Sequence, residues 1–259
     1  MAALGDTVPA DYAVLAPIYN QIGMARFAEL MTPRLIDFAQ QRDWLGRRIL
    51  DLGCGTGGSI QWLSRYSYNV TGLDSSAEML DMARKSFDNP GLSLKWQQRD
   101  MRELDESVGQ MDMVLALDVM NEMDALRDLE AVIKGVQRVL LANKLFIFDM
   151  YTIEGLTHEG LSSDSMIFDD KTGLTVFAHD EFDFERQMQT RQFTIFRRNG
   201  DAWQRSDVAR VLRAFPVQAV ATLLQRSGFK IMSVLNLSLE VFEPGVSRAP
   251  RVIFVAEKQ

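Results

Sequence analysis

The stretch ILDLGCGTGGS, residues 49–59, sets Asp51 two residues ahead of a turn with glycines at 53, 55, 57 and 58. Glycine has no Cβ, so such a turn adopts positive φ and lets a ligand lie against the main chain, beside the unpaired N–H groups of a helix that starts there. Two spacings coexist in it. Gly53, Gly55 and Gly58 satisfy G-x-G-x-x-G, which serves a dinucleotide pyrophosphate, whereas Gly53, Gly55 and Gly57 satisfy G-x-G-x-G, which serves a methyl donor.

Asp51 weighs between them. At an effective dielectric near 20, like charges about 4 Å apart cost on the order of 4 kcal/mol, so a carboxylate at the strand end opposes a pyrophosphate. S-adenosylmethionine carries no phosphate and brings an ammonium and a sulfonium, so the same carboxylate attracts it. Two further acids follow at strand ends: Asp74 closes VTGLD and Asp100 follows QQR. A carboxylate in the Asp74 position accepts two hydrogen bonds from a ribose cis-diol in either kind of site, so the distinction rests on Asp51 and Asp100.

General bases are sought in loops at the carboxyl ends of the fourth and fifth strands, which hold Asp118, Asn121 and Glu122, then Tyr151 and His158. Tyr19, Glu122 and His158 are the candidate catalytic residues. His179 falls later in the chain; two histidines and the single Cys54 give no zinc-ligand spacing, and no metal is expected. Cys54 reads as a small residue that fits the turn.

The elements that position these residues follow from periodicity. Residues 10–42 carry apolar positions at helical intervals, with breaks expected near Pro17, Gly23 and Pro33. Strands are expected over 48–52, 69–73, 93–98, 111–117 and 145–150, with helices over 59–66, 75–87 and 126–141 between them. Ser75 and Glu78 read as a capping box for the second of these helices. Apolar strands alternating with helices predict an α/β, doubly wound sheet covered on both faces. From Gly155 to Pro216 the pattern turns to polar–apolar alternation without a convincing helix, and Asn199-Gly200 suits a type I′ hairpin turn, so an inserted antiparallel sheet is expected. A helix over 217–227 and strands over 230–237 and 251–257 close the chain. The organisation is thus 1–42 as an N-terminal helical segment, 43–154 with 217–259 as the core, and 155–216 as the insertion.

These motifs together resemble class I S-adenosylmethionine-dependent methyltransferases. Asp51, Gly53, Gly55 and Gly57 match the first motif, VTGLDSSAEMLDMAR resembles the second strand and loop, QQRDM the third element, and RVIFVAEK a reversed seventh strand. The N-terminal DYAVLAPIYN resembles the tyrosine lid of small-molecule members, with Asn20 where an acid is usual. The resemblance implies a Rossmann-like sheet of seven strands, the last antiparallel. It implies S-adenosylmethionine as donor, with Asp74 on the ribose, Met79 against adenine, Asp100 on the adenine amino group and Met101 beside it. Tyr12, Tyr19, Asp51, Gly53, Cys54, Gly55, Ser75 and Leu117 complete the implied donor contacts. The implied reaction is methylation of a small metabolite at O or N; a nicotinamide-dependent oxidoreductase and a non-catalytic donor-binding protein are the alternatives.

The chain has 259 residues, 47% of them hydrophobic, and a net charge of −7, which repels a phosphate backbone and argues against nucleic acid as a partner. Charges break every apolar run before membrane-spanning length, and no signal pattern opens the chain, so a cytoplasmic protein off the membrane is expected. Residues 100–130 hold ten acids against Arg102 and Arg127, while 186–213 hold seven arginines against Asp201 and Asp207. Both stretches read as solvated faces, with the alternative that arginines of the insertion, Arg191, Arg197 and Arg205 among them, hold a carboxylate or phosphate on the substrate. The inserted sheet is expected to cover the site or to form a homodimer contact.

Overall fold

The strands of the core follow the apolar runs, because each strand's two faces meet a different layer of helices. The computed structural model describes residues 11–87, 89, 91–159 and 163–259. In chain order, α1 (Tyr12–Leu15) and α2 (Arg26–Gln40) precede β1 (Arg48–Leu52), α3 (Gly58–Arg65), β2 (Asn69–Asp74), α4 (Ala77–Ser86) and β3 (Leu94–Gln98). Then come β4 (Met111–Ala116), α5 (Leu126–Val139), β5 (Leu140–Tyr151) and α6 (Ile153–Glu159). The insertion holds β6 (Ser163–Asp169), β7 (Leu174–Asp183), β8 (Met188–Asn199) and β9 (Ala202–Arg213). The chain closes with α7 (Val217–Arg226), β10 (Phe229–Leu235) and β11 (Arg251–Lys258).

The main sheet runs β3–β2–β1–β4–β5–β11–β10, with β11 antiparallel to both neighbours and the rest parallel. Alternate residues of β1 divide between the layers: Ile49 joins Leu35, Ile36, Ile60 and Leu63 beneath α2 and α3, whereas Leu50 and Leu52 join Leu129, Val132 and Ile133 of α5. The strand order reverses between β1 and β4, which opens a crevice at the carboxyl ends of those two strands.

The second sheet runs β6–β7–β8–β9, antiparallel throughout. Its inner face, with Val176, Phe193 and Ile195, packs on Leu15 and Ile18 of the N-terminal segment. The N-terminal segment and the inserted sheet therefore share one apolar core.

Several boundaries differ from the sequence expectations. Pro33 lies inside α2 rather than ending it: it removes one backbone donor, but the Thr32 hydroxyl bonds the Ala28 carbonyl and Leu35, Ile36, Phe38 and Ala39 stay buried. The cap of α4 is Ser76, not Ser75; its Oγ accepts from the Met79 amide at 3.2 Å, because the Asp74 carboxylate holds the Ser76 amide at 2.9 Å. A short helix, α6, begins before the insertion. The hairpin turn is Gly200-Asp201, with Asn199 paired to Ala202, and Gly200 rather than Asn199 takes the positive φ. The first ten residues of the expected lid and residues 160–162 of the insertion lie outside the described residues.

Asp112 on β4 fixes the start of β1. Its Oδ2 accepts from the Arg47 and Arg48 amides at 3.0 Å each, and Arg48 also pairs with it, holding its carboxyl well below the usual carboxylate range. Asp112→Ala orphans both amides, and urea unfolding at pH 7 should report a loss of about 2 kcal/mol. Since the folded pKa is depressed, the carboxylate stabilises above the unfolded value, about 4, and the gap between wild type and variant should close as pH falls below it.

Candidate functional site

Every strand from β1 to β5 delivers a carboxylate to the same end of the sheet: Asp51, Asp74, Asp100, Asp118 and Asp149. A cavity of about 290 Å³ opens there, and Asp74, Asp100 and Asp118 are on its wall. The structure brings to the same wall Tyr12, Tyr19, Gly53, Gly55, Ser75, Met79, Met101, Leu117 and Glu122 from the sequence expectations. Asp51 and Cys54 border a second, smaller space of about 30 Å³ under the glycine turn, sharing Tyr19, Gly53, Gly55, Leu117 and Asp118 with the first.

The turn is shaped as the glycines require. Gly53 has φ +70°, and a Cβ there would stand 2.6 Å from the Val119 side chain. Gly58, which completes the dinucleotide spacing, has a different cause: its missing Cβ would lie 2.9 Å from the Ala25 carbonyl oxygen, where the chain enters α2 and crosses α3. With Ser59 also buried, that helix start is covered by protein rather than open to a pyrophosphate.

Asp74 accepts from the Gly55 amide at 2.8 Å and the Ser76 amide at 2.9 Å, so both oxygens are fixed by backbone; burial nonetheless raises its pKa. Asp100 shares both oxygens with the Arg102 guanidinium, which lowers its pKa, and each oxygen keeps lone-pair capacity for another donor. Asp51 is different. It is buried, its carboxylate meets the Ser59 hydroxyl, and its Oδ2 has no hydrogen-bond partner. Burial pushes its pKa up to about 7. An unanswered carboxylate oxygen beneath the glycine turn suits a cationic ligand, so the residues present fit S-adenosylmethionine. The Cys54 thiol is buried and its pKa raised by burial, which makes it an inert packing group.

Asp118 sits just past β4 with φ +60°, a costly conformation for a non-glycine residue. Four contacts over-determine it. Its amide donates to Asp149 Oδ1 at 2.8 Å, Arg210 Nη2 donates to its carbonyl at 2.6 Å, and its carboxylate receives Arg210 Nη1 at 3.1 Å and Arg251 Nη2 at 2.5 Å. Arg251 also pairs with Asp149 and lies over the Phe27 and Tyr151 rings, 3.4 and 4.4 Å from their centroids. Arg210 reaches Glu122 Oε1 at 2.8 Å, and the Tyr12 hydroxyl donates to that oxygen at 2.5 Å. Burial raises the pKa of both Tyr12 and Tyr19, so each phenol is a donor at neutral pH and not a base.

Sequence reasoning missed Arg210 and Arg251. A signal for Arg210 was present: it occupies an inward position of β9 between buried Val208 and Leu212, where a charge needs partners. Arg251 opens a closing strand and carries no comparable signal. Asn121 is committed to structure, since its amide nitrogen donates to the Tyr151 and Arg213 carbonyls and its oxygen accepts from the Tyr151 amide. His158 is exposed on α6 and His179 pairs with Asp164 on the inserted sheet; neither is on the cavity wall. Arg191, Arg197 and Arg205 are not on it either: Arg191 pairs with Asp180 and Arg205 with Asp207, and Arg197 is exposed on β8. Among the described residues no group of acids, histidines and cysteine forms a metal site, and no helix is long and apolar enough to cross a membrane.

A strand-end carboxylate series, a glycine turn and a reversed last strand define a class I methyltransferase, and comparison with known proteins agrees. Residues 49–143 match the family described as a methyltransferase domain. The chain is 30% identical over 214 residues to the "Putative methyltransferase YqeM" of Bacillus subtilis, covering 82% of this chain and 84% of that protein. It superposes with a TM-score of 0.80 on an S-adenosylmethionine-dependent methyltransferase from Clostridium acetobutylicum, at 21% identity over 95% of this chain and 98% of that one. An amino pentose methyltransferase from Micromonospora echinaspora, CalS10, solved with S-adenosylmethionine bound, superposes at 0.70 with 17% identity, over 93% of this chain and 97% of that one. The chain belongs to the S-adenosylmethionine-dependent methyltransferases. Its donor is therefore S-adenosylmethionine, and the nicotinamide alternative is set aside.

Arg210 is the buried cation that answers both Asp118 and Glu122, so removing it leaves two carboxylates under-compensated. Arg210→Gln should lower unfolding free energy by about 3 kcal/mol in urea titration. A change below about 1 kcal/mol would mean that the pair adds little to the fold.

Proposed function

We propose that the protein methylates an oxygen or nitrogen of a small metabolite, with Glu122 receiving the acceptor's proton. The observation that carries this reading is the composition of one confined cavity. Gly53, Gly55, Asp74 and Met79 line it for the donor, while Tyr12, Glu122, Met188 and Val211 line it beneath the inserted sheet. A space of about 290 Å³ suits small molecules rather than a folded macromolecule.

When bound, S-adenosylmethionine supplies an already activated methyl group. The chain's own residues align the acceptor, exclude water and manage the proton. Glu122 Oε1 is held by Tyr12 and Arg210, which leaves Oε2 to take a proton from an acceptor hydroxyl or ammonium. Asp51 offers its unanswered oxygen to the donor's ammonium, Asp74 takes the ribose hydroxyls, and Asp100 the adenine amino group. Tyr12 and Tyr19, 6.5 Å apart edge to face, close the cavity from the N-terminal segment. In this reading the described residues up to 42 form a lid and those of 155–216 an acceptor-covering insertion. The single buried cysteine and the absence, among the described residues, of a membrane-length helix support a cytoplasmic setting. The inserted sheet also offers a face for a homodimer.

Incubating the protein with metabolite extract and methyl-labelled donor, followed by mass spectrometry, should yield a labelled small molecule. With that acceptor, Glu122→Gln should lower kcat about 100-fold while donor affinity stays within about twofold. No labelled product from a donor-saturated protein would contradict the reading, and an unchanged kcat would remove Glu122 from it.

A further inference from the structure

Resting on the methyl-transfer reading, we propose that Arg213 selects the acceptor by binding an anionic group on it, a carboxylate or a phosphate. Arg213 ends β9 directly opposite Met188 of β8, and both are on the cavity wall with Val211. Its backbone is fixed, because Asn121 Nδ2 donates to its carbonyl at 2.8 Å, and Asn121 is the residue before Glu122. The main chain of Arg213 is therefore anchored to the segment that presents the proton acceptor.

Its partners are all neutral. Nη1 donates to the Arg186 carbonyl at 3.0 Å and Nη2 to the Met188 sulfur at 3.0 Å, while Nε is buried without any acceptor. The two other arginines on the wall that belong to the core are each matched by an acid: Arg99 by Asp105 at 2.7 Å, and Arg102 by Asp100 at 2.5 Å. Among the described residues no carboxylate lies within salt-bridge distance of Arg213. A cation on the wall of the site that no acid answers is compensated by an anion that enters it. A neutral acceptor of the same shape would further desolvate that charge and answer nothing, so Arg213 discriminates against it.

The test uses full-length protein saturated with S-adenosylhomocysteine, followed through the Arg213 Nε–H NMR resonance, which is identified by its loss in Arg213→Lys. Benzoate, inorganic phosphate and, as neutral control, benzamide are titrated in turn. A saturable shift with benzoate alone assigns a carboxylate, one with phosphate alone a phosphate, and one with both the shared anionic chemistry. In Arg213→Gln the same anion, followed through backbone amides, should bind at least about tenfold more weakly. Absence of a saturable shift with both anions, or an equal response to benzamide, overturns the proposal. Failure of the homocysteine compound to saturate the protein would instead count against the donor site, so the two readings fail separately.

Discussion

A carboxylate removed from water must be met by a hydrogen-bond donor or a cation, and five parallel strands of this protein carry an acid at or near their carboxyl ends, Asp51 and Asp149 buried and Asp74, Asp100 and Asp118 partly so. The different answers to that requirement organise the active end of the molecule. Backbone amides of Gly55 and Ser76 meet Asp74, and Arg102 meets Asp100. Arg210 and Arg251 meet Asp118, and Arg251 with the Asp118 amide meets Asp149. Asp51 alone keeps a buried oxygen without a partner. The incomplete member of the series lies against the glycine turn, where a cationic donor would complete it.

The same requirement explains why segments far apart in sequence converge. Arg210 comes from the inserted sheet, Arg251 from the last strand, Glu122 from the loop after β4, and Tyr12 from the N-terminal segment. Each is drawn to an acid at the strand ends or is itself that acid. Charge pairing fixes the inserted sheet to the core, while Leu15, Ile18, Val176 and Phe193 join it to the N-terminal segment by apolar burial. The cavity roof is thus made of elements whose placement depends on ion pairs at its floor. Tyr12 joins the edge of that network through one hydrogen bond to Glu122.

The core was legible because its signals are local: apolar runs of strand length, the glycine turn, and acids at strand ends whose spacing matches successive βα units. Asp74 and Asp100 could be placed at one cavity from sequence because the order of parallel strands brings their termini together, whereas Tyr12 on α1 and Met79 on α4 were legible only through the resemblance of their segments to known motifs. Cap identity was less legible, since Ser75 and Ser76 both suit the role and the Asp74 carboxylate decides between them. Pro33 misled because a helix with a strongly buried face tolerates one missing donor. The arginine-rich stretch showed that charge sits in the insertion but not which side chains face inward; that depends on register, which places Arg210 inside and Arg213 on the cavity wall and pairs Arg191 and Arg205 with neighbouring acids.

The most direct measurement is the titration of the Asp51 carboxyl by carbon-13 NMR, with and without S-adenosylhomocysteine, assigned by its loss in Asp51→Asn. The free protein should titrate at about 7, and the complex in or below the ordinary carboxylate range, because the ligand's ammonium favours the ionised form. A midpoint unmoved by saturating ligand would contradict the account, since the cation would then not be answering the one strand-end carboxylate left incomplete.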